Sequence, residues 1–139
     1  MSAFDTATAN KILADMFAPW VLATGIITDA VSTDSATLRI PFSAQLTRVG
    51  GIMSGQTLVT GADTAMVIAL SAAMGGFKPV TTVDLTINYM RPVTKADAII
   101  TAKVMRLGRS LAFLTTEITE AGSIKPSAFA TGTYAIPAQ

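Results

Sequence analysis

The segment between two glycine pairs, residues 50–76, constrains the fold more than any other part of this sequence. It begins GGIMSGQTLV, ends SAAMGG, and is rich in alanine and almost free of charge between these ends. Ser54 is a suitable N-cap, and the glycines at 75 and 76 stop a helix. Because a helix that is apolar on nearly all sides is buried on nearly all sides, we expect a central helix over about residues 54–74, surrounded by the rest of the chain.

A single carboxylate, Asp63, lies in the middle of this apolar helix. Positions three and four residues away hold Val59, Thr60, Met66 and Val67, so no cation of the same helix can pair with it. A carboxylate is rarely buried without a partner, because removing it from water is costly. Asp63 therefore needs a partner from elsewhere, or access to a cleft.

Two interpretations of Asp63 follow from the residues alone. In the first it is structural, bonded to a distant backbone amide or to an arginine such as Arg48 or Arg91. In the second it faces a cleft and acts as a general base or a nucleophile.

The start of the helix favours the second interpretation. Gly51 and Gly55 flank Ser54, where unpaired backbone N–H groups can stabilise a carbonyl oxygen that becomes an oxyanion. Asp63 lies eight residues beyond Gly55, which is about 12 Å along the helix axis. At that separation Asp63 could not act on a carbonyl bound by Gly55 of the same chain. The distance therefore favours a site shared between two subunits, with the acid of one facing the amide of the other.

The rest of the chain predicts an α+β fold in a single domain, residues 1–139. An N-terminal helix is expected over about residues 5–19, ended by Pro19. Strand-like segments are predicted at residues 22–31, 36–42, 81–90, 97–107, 111–120 and 127–136, and residues 45–53 are predicted to form a loop. Short connections after the central helix imply antiparallel neighbours.

Composition excludes several functional classes. Only 14% of residues are charged, against about 25% on average, which favours a surface partly covered by another copy of the chain. The formal net charge of +1 does not indicate a nucleic-acid partner. The sequence has no cysteine and no histidine, which argues against thiolate chemistry and common metal sites. No signal peptide is evident, and the longest apolar run, residues 65–74, is shorter than the ~20 residues of a membrane span. A cytoplasmic protein is expected.

Several motifs resemble those of the hotdog-fold acyl-CoA thioesterases, specifically the PaaI-like (phenylacetate-type) branch. In that family a His-Gly-Gly loop opens the central helix, and an acid follows nine residues after the histidine. Here SGQ, residues 54–56, occupies that place, and Asp63 stands nine residues after Ser54. The segments VDLTINYMRPV, RLGRSLAF and ATGTYAI are similar to family counterparts, so the resemblance covers about residues 22–136.

The resemblance implies a curved antiparallel sheet wrapped around the central helix. It also implies homodimers that pair through a central strand and often form homotetramers, and an acyl- or aroyl-CoA substrate, with coenzyme A as part of the substrate and no metal or separate cofactor. The N–H of Gly55 would polarise the thioester carbonyl, Asp63 of the facing subunit would activate water or attack directly, and Thr82 would help to position water.

The sequence departs from the family pattern at three positions. Ser54 replaces the usual histidine, Gln56 replaces the second glycine, and Arg48 stands where asparagine or glutamine is common. These residues are candidate substrate contacts, although Arg48 could also pair with Asp63 and lower its basicity. The alternative function is therefore a hotdog protein that binds acyl-CoA without turnover, with a purely structural oligomer as a weaker third possibility. The missing histidine argues against hydratase and dehydratase chemistry.

Basic residues could hold the phosphates of coenzyme A. Arg106 and Arg109 lie at the RLGRS turn, and Arg91 follows a predicted strand. The plain alternative for the two turn residues is a solvated hairpin tip. Phe17 and Trp20 are expected in the core or at an interface.

Overall fold

Three helices and eight strands make up residues 3–138, the part of the chain described by the computed structural model. The helices are α1 (Thr6–Met16), α2 (Pro19–Leu22) and α3 (Gly55–Met74). The strands are β1 (Ile27–Val31), β2 (Ser35–Ile40), β3 (Thr47–Arg48), β4 (Ile52–Met53), β5 (Thr81–Tyr89), β6 (Ala98–Leu107), β7 (Leu111–Glu120) and β8 (Pro126–Ala135).

Six of the strands form one antiparallel sheet in the order β1-β2-β6-β7-β8-β5. The long helix α3 packs on one face of this sheet, mainly against β2, β6 and β7. The predicted α+β hotdog fold, a curved sheet around a central helix, is thereby confirmed. One pairing differs from expectation, because β5 pairs with β8 and not with β6, which follows it in sequence. Strand β5 consequently lies at the edge of the sheet.

The central helix has the bounds that its capping residues predict. The Ser54 hydroxyl accepts a hydrogen bond from the Thr57 backbone N–H, and Gly75 ends the helix with a φ of 77°. Gly61 allows close contact with the sheet, since a Cβ at this position would lie 2.4 Å from Ile100 Cδ1. Among the described residues, α3 is the one helix long and apolar enough to cross a membrane, but 67% of its most apolar 18-residue stretch is buried inside the protein.

The N-terminal segment differs from the single helix predicted over residues 5–19. Asp5 caps α1 by accepting from the Thr8 N–H, but α1 ends at Met16, and Phe17 is extended with φ −96° and ψ 151°. Pro19 begins the short helix α2 and does not end α1, in keeping with the preference of proline for the first helical turn. As a result Trp20 leaves the apolar stripe of α1 and is 64% exposed.

Three smaller features also differ from expectation. Strand β1 begins at Ile27, because residues 19–22 are helical. The predicted loop at residues 45–53 contains a 3-10 turn over Ala44–Leu46 and the hairpin of β3 and β4. A register shift between Thr82 and Asp84 interrupts the alternation of β5 and leaves Val83 exposed.

Candidate functional site

Two hydroxyl groups from the sheet hold the half-buried carboxylate of Asp63. Thr82 Oγ1 donates to Asp63 Oδ1 over 3.0 Å, and the Tyr134 hydroxyl donates to the same oxygen over 2.6 Å. Thr82 and Tyr134 are cross-strand partners on β5 and β8, which explains why both reach one carboxylate oxygen. The structure thus brings Asp63 and Thr82, two of the candidate catalytic residues, together within one chain, while the role of Thr82 in positioning water stays a prediction.

Tyr134 is the residue of this cluster that the sequence did not identify. Its side chain is fully buried. Burial first, and then the negative charge of Asp63, raise the pKa of Tyr134 well above its ordinary value. The phenol therefore keeps its proton and acts as a hydrogen-bond donor to the carboxylate. The available sequence signal was its place in the alternating pattern of ATGTYAI, which puts it on the face of β8 that packs against α3.

Asp63 opens into an apolar cleft of about 300 Å³. Thr82 lines it beside Asp63, and most of the remaining wall is hydrophobic, formed by Met16, Phe17, Trp20, Val21, Val67, Phe77 and Val80. Phe17 and Trp20 were expected in the core or at an interface, but the break between α1 and α2 carries them to this cleft. An acid at the edge of an apolar cleft suits chemistry on a substrate with an apolar group.

Gly55 lines a different cleft of about 470 Å³, together with Arg48, Tyr89 and Arg91. It is the first residue of α3, and no acceptor for its N–H is found among residues 3–138. The Tyr89 hydroxyl donates to the Gly55 carbonyl over 2.8 Å. Since α3 is continuous from Gly55 to Met74, the spacing of about 12 Å between Gly55 and Asp63 stands. Within one chain the acid and the amide face separate clefts.

Neither arginine proposed as a structural partner of Asp63 fills that role within the described chain. Arg48 donates to the neighbouring Val49 carbonyl over 2.8 Å, and Arg91 donates to the Pro126 carbonyl over 2.9 Å. The ion pairs found between residues 3 and 138 join Lys11 to Asp15 and Arg39 to Asp29 and Asp97. The structural interpretation of Asp63 as an arginine partner is therefore wrong for the single chain.

Ser54 and Gln56 flank Gly55 but differ in their surroundings. The Ser54 hydroxyl lies 2.8 Å from Thr57 Oγ1 and also caps the helix, so it is occupied by local structure. Gln56 is exposed and lines a third cleft of about 360 Å³, which it shares with Trp20 and Thr60. Trp20 and Thr60 also line the Asp63 cleft, so the two clefts are neighbours along α3.

The two arginines of the RLGRS turn separate in the structure. Arg109 lines a cleft of about 690 Å³ at the C-terminal end of α3, together with Lys78, whereas Arg106 is not part of its wall. Arg106 lies at a register shift of β6 and is exposed. The grouping of Arg109 with Lys78 was not visible in the sequence, because the two are far apart in it.

Comparison with known families identifies the class of protein. A family model described as the thioesterase superfamily matches residues 50–126, more than half of the chain. The chain therefore belongs to the thioesterase superfamily, and the family resemblance of its motifs is confirmed. A Thermoplasma acidophilum protein named as an esterase is 27% identical over 92 residues, which cover 60% of this chain and 63% of that protein. Less than two thirds of that relative's length is thus matched. Both findings support a hydrolase.

Solved structures share the fold over nearly the whole chain. A Haemophilus influenzae thioesterase is 21% identical with a TM-score of 0.86, and the match covers 98% of this chain and 92% of that one. The PaaI protein from the phenylacetic acid degradation operon of E. coli is 20% identical with a TM-score of 0.81 and 96% of each chain covered. A conserved Pseudomonas aeruginosa protein is 27% identical with a TM-score of 0.81, covering 88% and 96% of the two chains.

Proposed function

We propose that this protein is an acyl-CoA thioesterase whose active site is shared between two subunits. The observation that carries the proposal is the pairing of a hydroxyl-held carboxylate, Asp63, with an apolar cleft. The helix N-terminal amide of Gly55, which has no acceptor among the described residues, lies in another cleft of the same chain. These are the two groups that hydrolysis of a thioester needs, and family membership supports that chemistry.

The edge strand β5 offers a route by which two copies complete the site. Its amides and carbonyls pair with β8 on one side only, and open edges favour pairing with another chain. Thr82, bonded to Asp63, and Tyr89, bonded to Gly55, lie at opposite ends of β5. In a twofold antiparallel β5–β5 pair centred between Leu85 and Thr86, Thr82 of one copy lies opposite Tyr89 of the other. That arrangement brings Asp63 of one subunit towards Gly55 of its partner.

The proposed mechanism assigns a role to each group. The Gly55 N–H donates to the thioester carbonyl oxygen and stabilises the negative charge that develops there. Asp63 either takes a proton from water, which attacks the carbonyl carbon, or attacks that carbon itself to give an anhydride that water then hydrolyses. Both routes break the C–S bond and release coenzyme A as the thiol. Thr82 holds the carboxylate and can contact the attacking water.

Basic residues at two places could bind the rest of the substrate. We propose that Arg109, with Lys78, binds phosphate groups of coenzyme A in the cleft at the end of α3. Arg48 and Arg91 line the Gly55 cleft and are candidates nearer the reacting carbonyl. Arg106 is less well placed to bind these phosphate groups, since it lies outside the Arg109 cleft. A homodimer or homotetramer, a cytoplasmic location and a reaction without metal or separate cofactor complete the proposal.

The direct test is thiol release from a panel of short-chain, long-chain and aromatic acyl-CoAs. Wild type should hydrolyse at least one of them, and Asp63→Asn should lose nearly all of that activity. No release from any acyl-CoA would overturn the enzymatic proposal, and full activity of Asp63→Asn would overturn the role of Asp63.

The role of the Gly55 amide has a matched pair of variants. Gly55→Pro removes the N–H at the first helical position, where proline is well tolerated. The preceding Ser54 has φ −65° and ψ 150°, a conformation compatible with a following proline. Gly55→Ala keeps the N–H but adds the same Cβ, which would meet the Tyr89 ring at 3.2 Å. We expect Gly55→Pro to be far less active than Gly55→Ala; equal activities would contradict the oxyanion role.

Mixing two inactive variants tests whether the site is shared. In a heterodimer of Asp63→Asn and Gly55→Pro, one of the two sites combines a wild-type Asp63 with a wild-type Gly55. Random reassortment should therefore restore about a quarter of the wild-type activity. If each site were formed by one chain, the reassorted mixture would stay inactive.

The alternative, binding of acyl-CoA without turnover, is favoured by one observation. The serine that replaces the family's histidine uses its hydroxyl to cap α3, so it offers no free group to a substrate. Binding of acyl-CoA by calorimetry, without thiol release over hours, would support this alternative.

A further inference from the structure

Tyr134 holds Asp63 in a way that distinguishes the two oxygens of its carboxylate. Both hydroxyl donors, Tyr134 at 2.6 Å and Thr82 at 3.0 Å, bond to Oδ1. Oδ2 accepts no hydrogen bond from the residues between 3 and 138, and it is not among their buried atoms without a partner. Oδ1 is thus saturated with donors, while Oδ2 stays open to the cleft.

The Tyr134 ring has little freedom to move away from this position. It is fully buried on the inner face of β8, where it pairs with Thr82 on β5 and Ala112 on β7. The Tyr134 ring packs closely against the backbone of Gly132, because a Cβ at position 132 would lie only 3.0 Å from Tyr134 Cε1. Its hydroxyl lies 3.3 Å from the Asp63 backbone carbonyl as well, so the phenol contacts both the side chain and the main chain of the acid.

We propose that Tyr134 is a positioning residue that fixes the Asp63 carboxylate through Oδ1, so that Oδ2 is the oxygen that reacts. The inference rests on the proposed thioesterase function and deepens it. In the general-base route Oδ2 takes a proton from water, the hydroxide oxygen bonds to the thioester carbon, the C–S bond breaks, and the proton passes to the departing sulfur. In the nucleophilic route Oδ2 itself bonds to the carbon, the thiolate leaves and takes a proton from solvent, and water then cleaves the anhydride.

Tyr134→Phe removes the hydroxyl and keeps the ring. We expect kcat to fall about 10- to 100-fold, the effect of losing one charge-assisted hydrogen bond, with KM changed less than about two-fold. Thr116→Val is the matched control, since it removes another buried hydroxyl from the sheet, one that has no hydrogen-bond partner within residues 3–138. It should leave kcat unchanged. A kcat for Tyr134→Phe within about two-fold of wild type would overturn the proposal.

The same substitution in the Asp63→Asn background separates positioning from general damage to the structure. If Tyr134 acts through the carboxylate, it has no carboxylate to position in the Asp63→Asn background. The double variant should then have the same residual rate as Asp63→Asn alone. An equal loss of kcat in both backgrounds would show that the role is structural.

A spectroscopic measurement tests the contact even if Tyr134→Phe does not fold. The sequence contains two tyrosines, Tyr89 and Tyr134, so protein labelled with 3-fluorotyrosine gives two ¹⁹F signals, assigned with Tyr89→Phe. Asp63→Asn should shift the Tyr134 signal and leave the Tyr89 signal in place. No shift would refute the contact. A wild type that hydrolyses no acyl-CoA would refute the proposed function instead, and the ¹⁹F result would still decide the contact.

Discussion

Close contact between α3 and the sheet depends on Gly61, and the substitution Gly61→Ala tests how tightly this core is packed. A Cβ at position 61 would lie 2.4 Å from Ile100 Cδ1 and 3.0 Å from Ile40 Cδ1. Carbon atoms normally approach to about 3.5–4.0 Å, so a shift of roughly 1 Å is needed. Both isoleucines are fully buried, on the neighbouring strands β6 and β2, so any shift of their Cδ1 methyls must be made inside the core.

Two opposing effects set the size of the change. Replacing glycine by alanine inside a helix stabilises it by about 1 kcal/mol. Overpacking a dense core costs about 1–3 kcal/mol, and the short distance puts this site in the upper half of that range. We therefore expect Gly61→Ala to lower the free energy of unfolding by roughly 1–2 kcal/mol, since the packing cost exceeds the gain in helix propensity.

Ile100→Val supplies the matched control, because it deletes the Cδ1 methyl that the new Cβ would meet. Alone it should cost about 0.5–1.5 kcal/mol. In the double variant one methyl is gained where one is lost, so the free energy of unfolding should return to within about 1 kcal/mol of wild type. The two substitutions should therefore be coupled by about 1–2 kcal/mol.

Urea unfolding followed by circular dichroism measures these values, at one protein concentration because association would add to stability. Additive losses in the double variant would refute the reasoning. A stabilised Gly61→Ala would refute it as well, since it would mean that helix propensity outweighs the contact.

Four further predictions concern individual residues. Thr116→Val should be neutral or stabilising by up to about 1 kcal/mol in thermal unfolding, because the hydroxyl it removes is buried without a partner in the described part of the chain; a clear loss would mean that the hydroxyl has one. Backbone N–H groups, Lys95 first, lower the pKa of Glu120, so the stability it supplies is present above its unfolded-state pKa and lost as the pH falls; Glu120→Gln should weaken that acid dependence, and unchanged curves would contradict this. Burial and Asp63 raise the pKa of Tyr134, so stability should fall as the pH rises above about 10, the unfolded value, and Tyr134→Phe should flatten this alkaline slope. Trp20→Ala should raise KM for acyl-CoAs and change the free energy of unfolding little, since Trp20 is exposed at the Asp63 cleft; an unchanged KM would show that Trp20 does not contact the substrate.

The central helix was predictable because local and global signals agree there. Its cap at Ser54, its stop at Gly75 and its apolar body all define the same element, and the structure places it over Gly55–Met74. The N-terminal segment was not predictable at this level. The apolar spacing that reaches Trp20 continues past Pro19 in the sequence, and only tertiary packing shows that the chain turns at Phe17 and restarts as α2.

The candidate site was predictable only in part, for a related reason. The lack of a cation near Asp63 in its own helix showed that its partner must come from elsewhere, and Thr82 was identified through the family resemblance. Tyr134 follows Asp63 by 71 residues, and the two meet because β8 pairs with the edge strand β5. Local sequence patterns do not determine the order of strands in a sheet. Neither this contact nor the grouping of Lys78 with Arg109 could therefore be derived from residue spacing.

The open side of α3 follows a pattern that the sequence does contain. Gln56, Thr60, Asp63 and Val67 recur at helical spacing, and they are exposed or half-buried while their neighbours on the other sides are largely buried. This stripe is polar up to Asp63 and apolar at Val67, and neighbouring clefts open beside Gln56 and beside Val67. Along this stripe the acid therefore lies between the polar side chains of Gln56 and Thr60 and the apolar side chain of Val67. A thioester has the same division, with a polar pantetheine chain on one side of its carbonyl and an apolar acyl group on the other. The position of Asp63 along the stripe thus agrees with the proposed acyl-CoA substrate.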